Sequence, residues 1–127
     1  MQKPLKTVLL LLSVAILAGI SCAITYVLHR RAIRSEILQA YGAVETVADY
    51  QGNTAFLEAD LAARQRLIAL ESYGLNTKDE QIVKCVQEYL EAVESLNSSM
   101  SIEDTRLRQN IAVEAAEKAE KCIKDLR

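Results

Sequence analysis

Apolar positions along the chain change their rhythm once. From Thr7 to Leu28 the sequence reads TVLLLLSVAILAGISCAITYVL, 22 residues without a formal charge. At about 1.5 Å per residue this is ~33 Å of helix, enough to cross a hydrocarbon core of ~30 Å. Beyond it, apolar residues recur at spacings of three and four, which predicts amphipathic helices. The first such segment, about 30–50, continues the apolar run without Pro and carries Ile33, Ile37, Tyr41, Val44 and Val47 on one face. Gly52 ends it, and Asn53 or Thr54 can cap a second segment, about 55–73, that presents Phe56, Ala59, Ala63, Leu67 and Leu70. A third, about 78–98, has the plainest seam: Ile82, Val86, Tyr89, Val93, Leu96 and Met100. The fourth, about 102–126, opens on Ser101 with Asp104 three residues on, close to a capping box, and carries Leu107, Ile111, Ala115, Ala119, Cys122 and Leu126.

Short connections favour antiparallel neighbours. The predicted fold class is therefore all-α: a short tail (1–6), a transmembrane helix (7–28) and a domain over 29–127 in which the anchor continues into an antiparallel up-and-down four-helix bundle. Composition agrees, with no Trp, one Pro, four Gly and no alternating apolar pattern that would mark a strand. The pentapeptides YQGNT (50–54) and YGLNT (73–77) are alike, but nothing flanking them is, so they read as two similar turns rather than a repeat.

Charge changes the picture at the end of the apolar run. Residues 1–34 hold five bases and no acid, residues 35–127 hold 17 acids and ten bases, and so a root of +5 carries a domain of −7. An acidic domain has no reason to bind nucleic acid. Tyr26, His29, Arg30, Arg31 and Arg34 stand where an emerging helix meets lipid headgroups. A signal peptide cut after Ala23 would leave ITYVLHRR at the new amino terminus, an apolar then basic start that suits an exported chain poorly. Cys22 is preceded by Gly19-Ile20-Ser21, which fits a lipoprotein signal badly. The preferred reading is an uncleaved single-pass anchor. Lys3 and Lys6 nearly balance the arginines across the span, so orientation rests on the habit of short amino-terminal tails to stay inside, which puts the domain outside the cytoplasm, in the periplasm of a bacterium. Ala15, Gly19 and Ala23 recur every fourth residue, a spacing that lets two membrane helices approach closely and self-associate.

Candidate chemistry is sparse. His29 is the sole histidine, so no nucleophile–His–acid arrangement is expected, and there is no phosphate loop and no CxxC. Glu88, Glu91 and Glu94 step by three along the third segment, but they lie outside its seam and have no Glu-x-x-His partner, so they read as a solvated face rather than a metal site. No cofactor and no metal are expected. Arg64 and Arg66 are expected to pair with groups on neighbouring helices. Lys118, Lys121 and Lys124 follow Glu114, Glu117 and Glu120 at the helix-stabilising spacing of four. For Cys85 and Cys122, a hairpin turning near residue 100 would place Cys85 opposite residue 115, about 10 Å short of Cys122, so two packed thiols are expected in place of a bridge.

The expected function is that of a non-catalytic interaction or scaffolding subunit of a membrane complex, with the bilayer and a protein or second copy as partners. Leu57, Leu61, Ile68, Val83 and Leu90 exceed what one narrow seam requires and are the expected partner-facing residues. A membrane-anchored small-ligand sensor, architecturally similar to the sensory parts of bacterial receptors, is the alternative, with a cleaved, secreted bundle as the other.

Overall fold

The computed structural model describes residues 2–127, with side chains from residue 4 onward. The described chain is all-helical. Helix α1 runs Gln2–Asp49, α2 Phe56–Glu71, α3 Thr77–Asn97 and α4 Ile102–Ile123, followed by a 3-10 turn at Lys124–Leu126. By contacts it divides into two units, residues 1–32 and 33–127.

The first unit is helical from Gln2 onward, so the expected tail at 1–6 is, over its described part, the first turn of α1. Pro4 sits in that turn, where its missing N–H leaves no helical bond unmade. The apolar side chains that follow are exposed all round, Leu10 at 67% and Leu17 at 66%. The hydroxyls of Ser13 and Thr25 donate to the carbonyls of Leu9 and Ser21 four residues back, both at 2.9 Å. Polar groups within the run thus spend their hydrogen on the helix itself. A helix of this length and composition suits a membrane span or a signal sequence.

The second unit is a helical bundle around one core. Ile33, Ile37, Ala40, Tyr41, Val44 and Val47 of α1 are buried, as their spacing predicts. They share the core with Phe56, Ala63, Leu67 and Leu70 of α2 and with Ile82, Val86, Tyr89 and Val93 of α3. Gly52 takes the left-handed φ of +72° that ends α1. Asn53 accepts from the Ala55 amide at 3.0 Å within the turn, but α2 begins one residue later, at Phe56, with Ala55 at its N-cap and no side-chain cap, so neither Asn53 nor Thr54 caps it as expected. Gly52 N–H in turn donates to Asn97 Oδ1 (3.1 Å) and Gln51 Nε2 to the Val93 carbonyl (3.3 Å), which ties this turn to the end of α3. Asn76 caps α3 by accepting from the Asp79 amide at 2.8 Å. Ser101 caps α4 by accepting from the Asp104 amide at 3.0 Å, and Asp104 accepts from the Met100 amide at 3.4 Å, a near relative of the capping box.

Two further expectations require correction. Val83 (5% exposed) and Leu90 (4%) are core residues and not partner-facing ones. The reason is that α3 is covered on three sides: Tyr89 meets Tyr41 of α1, Glu94 meets Arg64 of α2, and Cys85 meets Cys122 of α4. A helix with three neighbours buries far more than one seam, which is why its apolar arc is so wide.

The second correction concerns the α3–α4 register. Cys85 and Cys122 form a disulfide, with Cα atoms 6.6 Å apart, against the expectation of two separate thiols. Contacts join residue 88 to 118 and residue 95 to 108, so the helices are antiparallel, but α4 is displaced from a symmetric hairpin by up to seven residues. Its first turn therefore runs beyond the end of α3. Met100 (98% exposed), Leu107 (61%) and Ile111 (49%), all expected inside, are left outside, and the α4 contribution to the core comes from Ala112, Ala119 and Ile123.

Candidate interaction surface

The outer face of α2 is the chemically unusual part of the folded domain. Phe56, Ala63, Leu67 and Leu70 already fill its buried face, yet Leu57, Leu61 and Ile68 stand 77%, 57% and 65% exposed. At 100° per residue these three fall within a strip about 40° wide, a second apolar stripe pointing away from the first. It extends over twelve residues, a rise of about 16 Å along the axis.

Beside the stripe lies a groove between α2 and α3 of about 310 Å³, with Leu67, Ile68 and Leu90 along its apolar part and Arg64, Glu91 and Glu94 on its rim. Arg64 spans the rim, pairing with Glu94 across the groove and, through Nε at 3.3 Å, with Asp60 one turn back. The other oxygen of Asp60 is buried and has no hydrogen-bond partner among the described residues. Two carboxylates thus share one guanidinium, and with Glu91 lining the same groove the rim keeps a negative excess. Glu58, exposed, adds a further acid on the opposite flank of the stripe. Arg66 is turned the other way and donates to Gln39 Oε1 of α1 at 2.9 Å.

The glutamates at 88, 91 and 94 diverge. Glu88 accepts from Lys118 Nζ of α4 at 2.9 Å, and that hydrogen bond and charge hold its carboxyl below the usual range. Glu94 turns to α2, and Glu91 is exposed between them. Such an arrangement links helices and does not converge on an ion; among the described residues no cluster of acids, His and Cys could hold one.

At the carboxyl terminus, the Arg127 guanidinium lies 5.7 Å from the centre of the Tyr41 ring and 4.0 Å from Glu45. Burial, then the neighbouring Glu45, pushes the Tyr41 phenol up to about 12. Burial first, and then Glu45 and Asp49, raises Tyr89 as well. Both rings remain neutral in ordinary conditions and serve as packing groups.

The residues expected at a membrane surface follow the apolar run along α1: Tyr26 is 65% exposed, His29, Arg31 and Arg34 are exposed, and Arg30 is half-buried. Ala15, Gly19 and Ala23 are exposed on α1, and a Cβ added at Gly19 would meet nothing within 4 Å. Sequence reasoning missed the disulfide and the exposure of apolar residues along the first half of α4, where Ile102 (78%) and Val113 (51%) lie outside along with Leu107 and Ile111. The run of alanines late in the α4 stripe was the available signal, because close helix approach there implies that the better-packed half is the carboxyl-terminal one. Compared with known proteins, the chain matches no family model, no curated protein and no solved structure.

Proposed function

We propose that this is a single-pass membrane protein whose Thr7–Leu28 helix is an uncleaved anchor and whose up-and-down four-helix bundle stands outside the cytoplasm as a non-catalytic interaction or scaffolding subunit. The observation that carries the interaction role is the outer stripe of α2: a folded domain with a filled core still exposes Leu57, Leu61 and Ile68 together. Water is a poor surrounding for that stripe, and a protein partner is a good one.

Two further observations support the anchor and its orientation. The apolar run satisfies its own Ser13 and Thr25 hydroxyls, as a helix in hydrocarbon must. The Cys85–Cys122 disulfide belongs to an oxidising compartment, which favours the side away from the cytoplasm. Tyr26, His29, Arg30, Arg31 and Arg34 then meet headgroups on the outer leaflet side of the anchor. Ala15, Gly19 and Ala23 offer a face on which two anchors can pair, a reading checked by the size of a Gly19→Ile variant in mild detergent.

The experiment is made on the full chain in membranes. Intact mass reads whether residues 1–28 are retained. Protease added to sealed vesicles reads the side of the domain, and maleimide labelling before and after reduction reads the bridge. An intact mass, a protected or accessible domain matching the outer side, and cysteines at 85 and 122 labelled only after reduction are expected. A processed amino terminus would overturn the anchor, and freely labelled cysteines would remove the argument for the outer side.

A further inference from the structure

We infer that the outer stripe of α2 together with the α2–α3 groove is the docking site for a basic amphipathic helix of a partner protein. The inference rests on the reading of the domain as an interaction subunit and adds where the partner sits and what its surface must be.

The shape argues for a helix. Leu57, Leu61 and Ile68 form a straight strip about 16 Å long, and beside it the groove offers the flank of Leu67 and Leu90 as a floor. A ridge with a parallel groove is the surface into which one helix lays its apolar face, with anchors spaced by three and four. The charge argues for the sign of the partner. Asp60 and Glu94 share Arg64, Glu91 lines the same groove, Glu58 lies on the other flank, and residues 35–127 together carry −7. Lys or Arg on the shoulders of a docked helix would meet this excess and be steered by it. A second copy of the same face would not: an isologous contact sets a patch against itself and would bring the two acidic rims together. The exposed apolar residues of α4 lack this bias, since Arg106 and Arg108 stand among Glu103 and Asp104 there.

The test uses the full chain in phosphatidylcholine nanodiscs and two fluorescently labelled synthetic 18-residue helical peptides with the same leucine face, one flanked by lysine and the other by glutamate. Anisotropy is expected to show the lysine peptide binding, with affinity falling as salt rises and the glutamate peptide at least tenfold weaker. The Leu61→Ser/Ile68→Ser variant should lose tenfold or more, and Glu91→Gln severalfold, while Leu107→Ser on α4 leaves binding unchanged. Leu57→Ser, at the most exposed of the three positions, provides a second apolar variant should the double one melt early. Equal affinity for both peptides, or binding indifferent to the α2 variants, overturns the proposal. So does a concentration-dependent doubling of mass that the α2 variants abolish, which would assign the face to a second copy. Membrane retention and intact mass of the same preparations report the anchor separately, so a failure of docking is distinguishable from a failure of the anchored-subunit reading.

Discussion

Replacing both bridged cysteines with serine isolates how α4 is held. The segment closed by Cys85 and Cys122 spans 37 residues of separation. For a loop of that length the chain-entropy relation gives roughly 13 cal/mol/K removed from the unfolded ensemble, or about 4 kcal/mol at 25 °C. Packing offers little to replace it. α4 adds to the core chiefly Ala112, Ala119 and Ile123, and its long apolar residues Leu107 and Ile111 lie outside. For a domain near one hundred residues, each kcal/mol moves the midpoint by about 4–8 °C, so the Cys85→Ser/Cys122→Ser variant should melt ~15–30 °C lower than the oxidised protein. Near-ultraviolet circular dichroism of the full chain in detergent is the suitable assay, because Tyr41 and Tyr89 report the packed bundle while α1 keeps its far-ultraviolet signal. Reduction of the native protein should reproduce the variant. A shift under about 3 °C, with the oxidised bridge confirmed by mass, would refute the claim that the covalent link is the main hold on α4.

Three other perturbations separate core from surface. Leu90→Ala removes a buried side chain of the core and should cost about 2–5 kcal/mol in chemical denaturation, whereas Leu57→Ser should change stability by no more than about 0.5 kcal/mol; a similar cost for both would place α2 and α3 wrongly. Ser101→Ala removes the hydroxyl that accepts from the Asp104 amide and should cost ~1 kcal/mol, read by the same denaturant midpoint. Tyr41 keeps its proton to about 12 when folded and to about 10 when unfolded, so the native state binds more protons between those values. The stability it contributes is whole below pH ~10 and is lost as pH rises toward 12. Phenolate absorbance at 295 nm should therefore show at least one tyrosine titrating late in the folded protein, and loss of that delay in Tyr41→Phe identifies it.

The number, type and approximate bounds of the helices were legible along the chain, because a period near 3.6 in Ile33–Val47, Phe56–Leu70 and Ile82–Val93 is a local property that each segment carries alone. So was the cap at Ser101, whose side chain satisfies an amide only three residues away. The apolar stretch of α1 announces itself by length and composition. What local pattern does not contain is how far one helix slides along another. That register brought Cys85 to Cys122, since a loop of a few residues closes at several offsets, and the face turned inward is the one carrying Ala112, Ala119 and Ile123, which leaves Leu107 and Ile111 outside. Nor does it say how many neighbours a helix has. Leu57, Leu61, Ile68, Val83 and Leu90 look alike in the sequence; Val83 and Leu90 are core because α3 is central, and the three on α2 are surface because that helix lies at the edge with one face open. Periodicity tells which residues avoid water, and only the arrangement of neighbours decides which of them succeed.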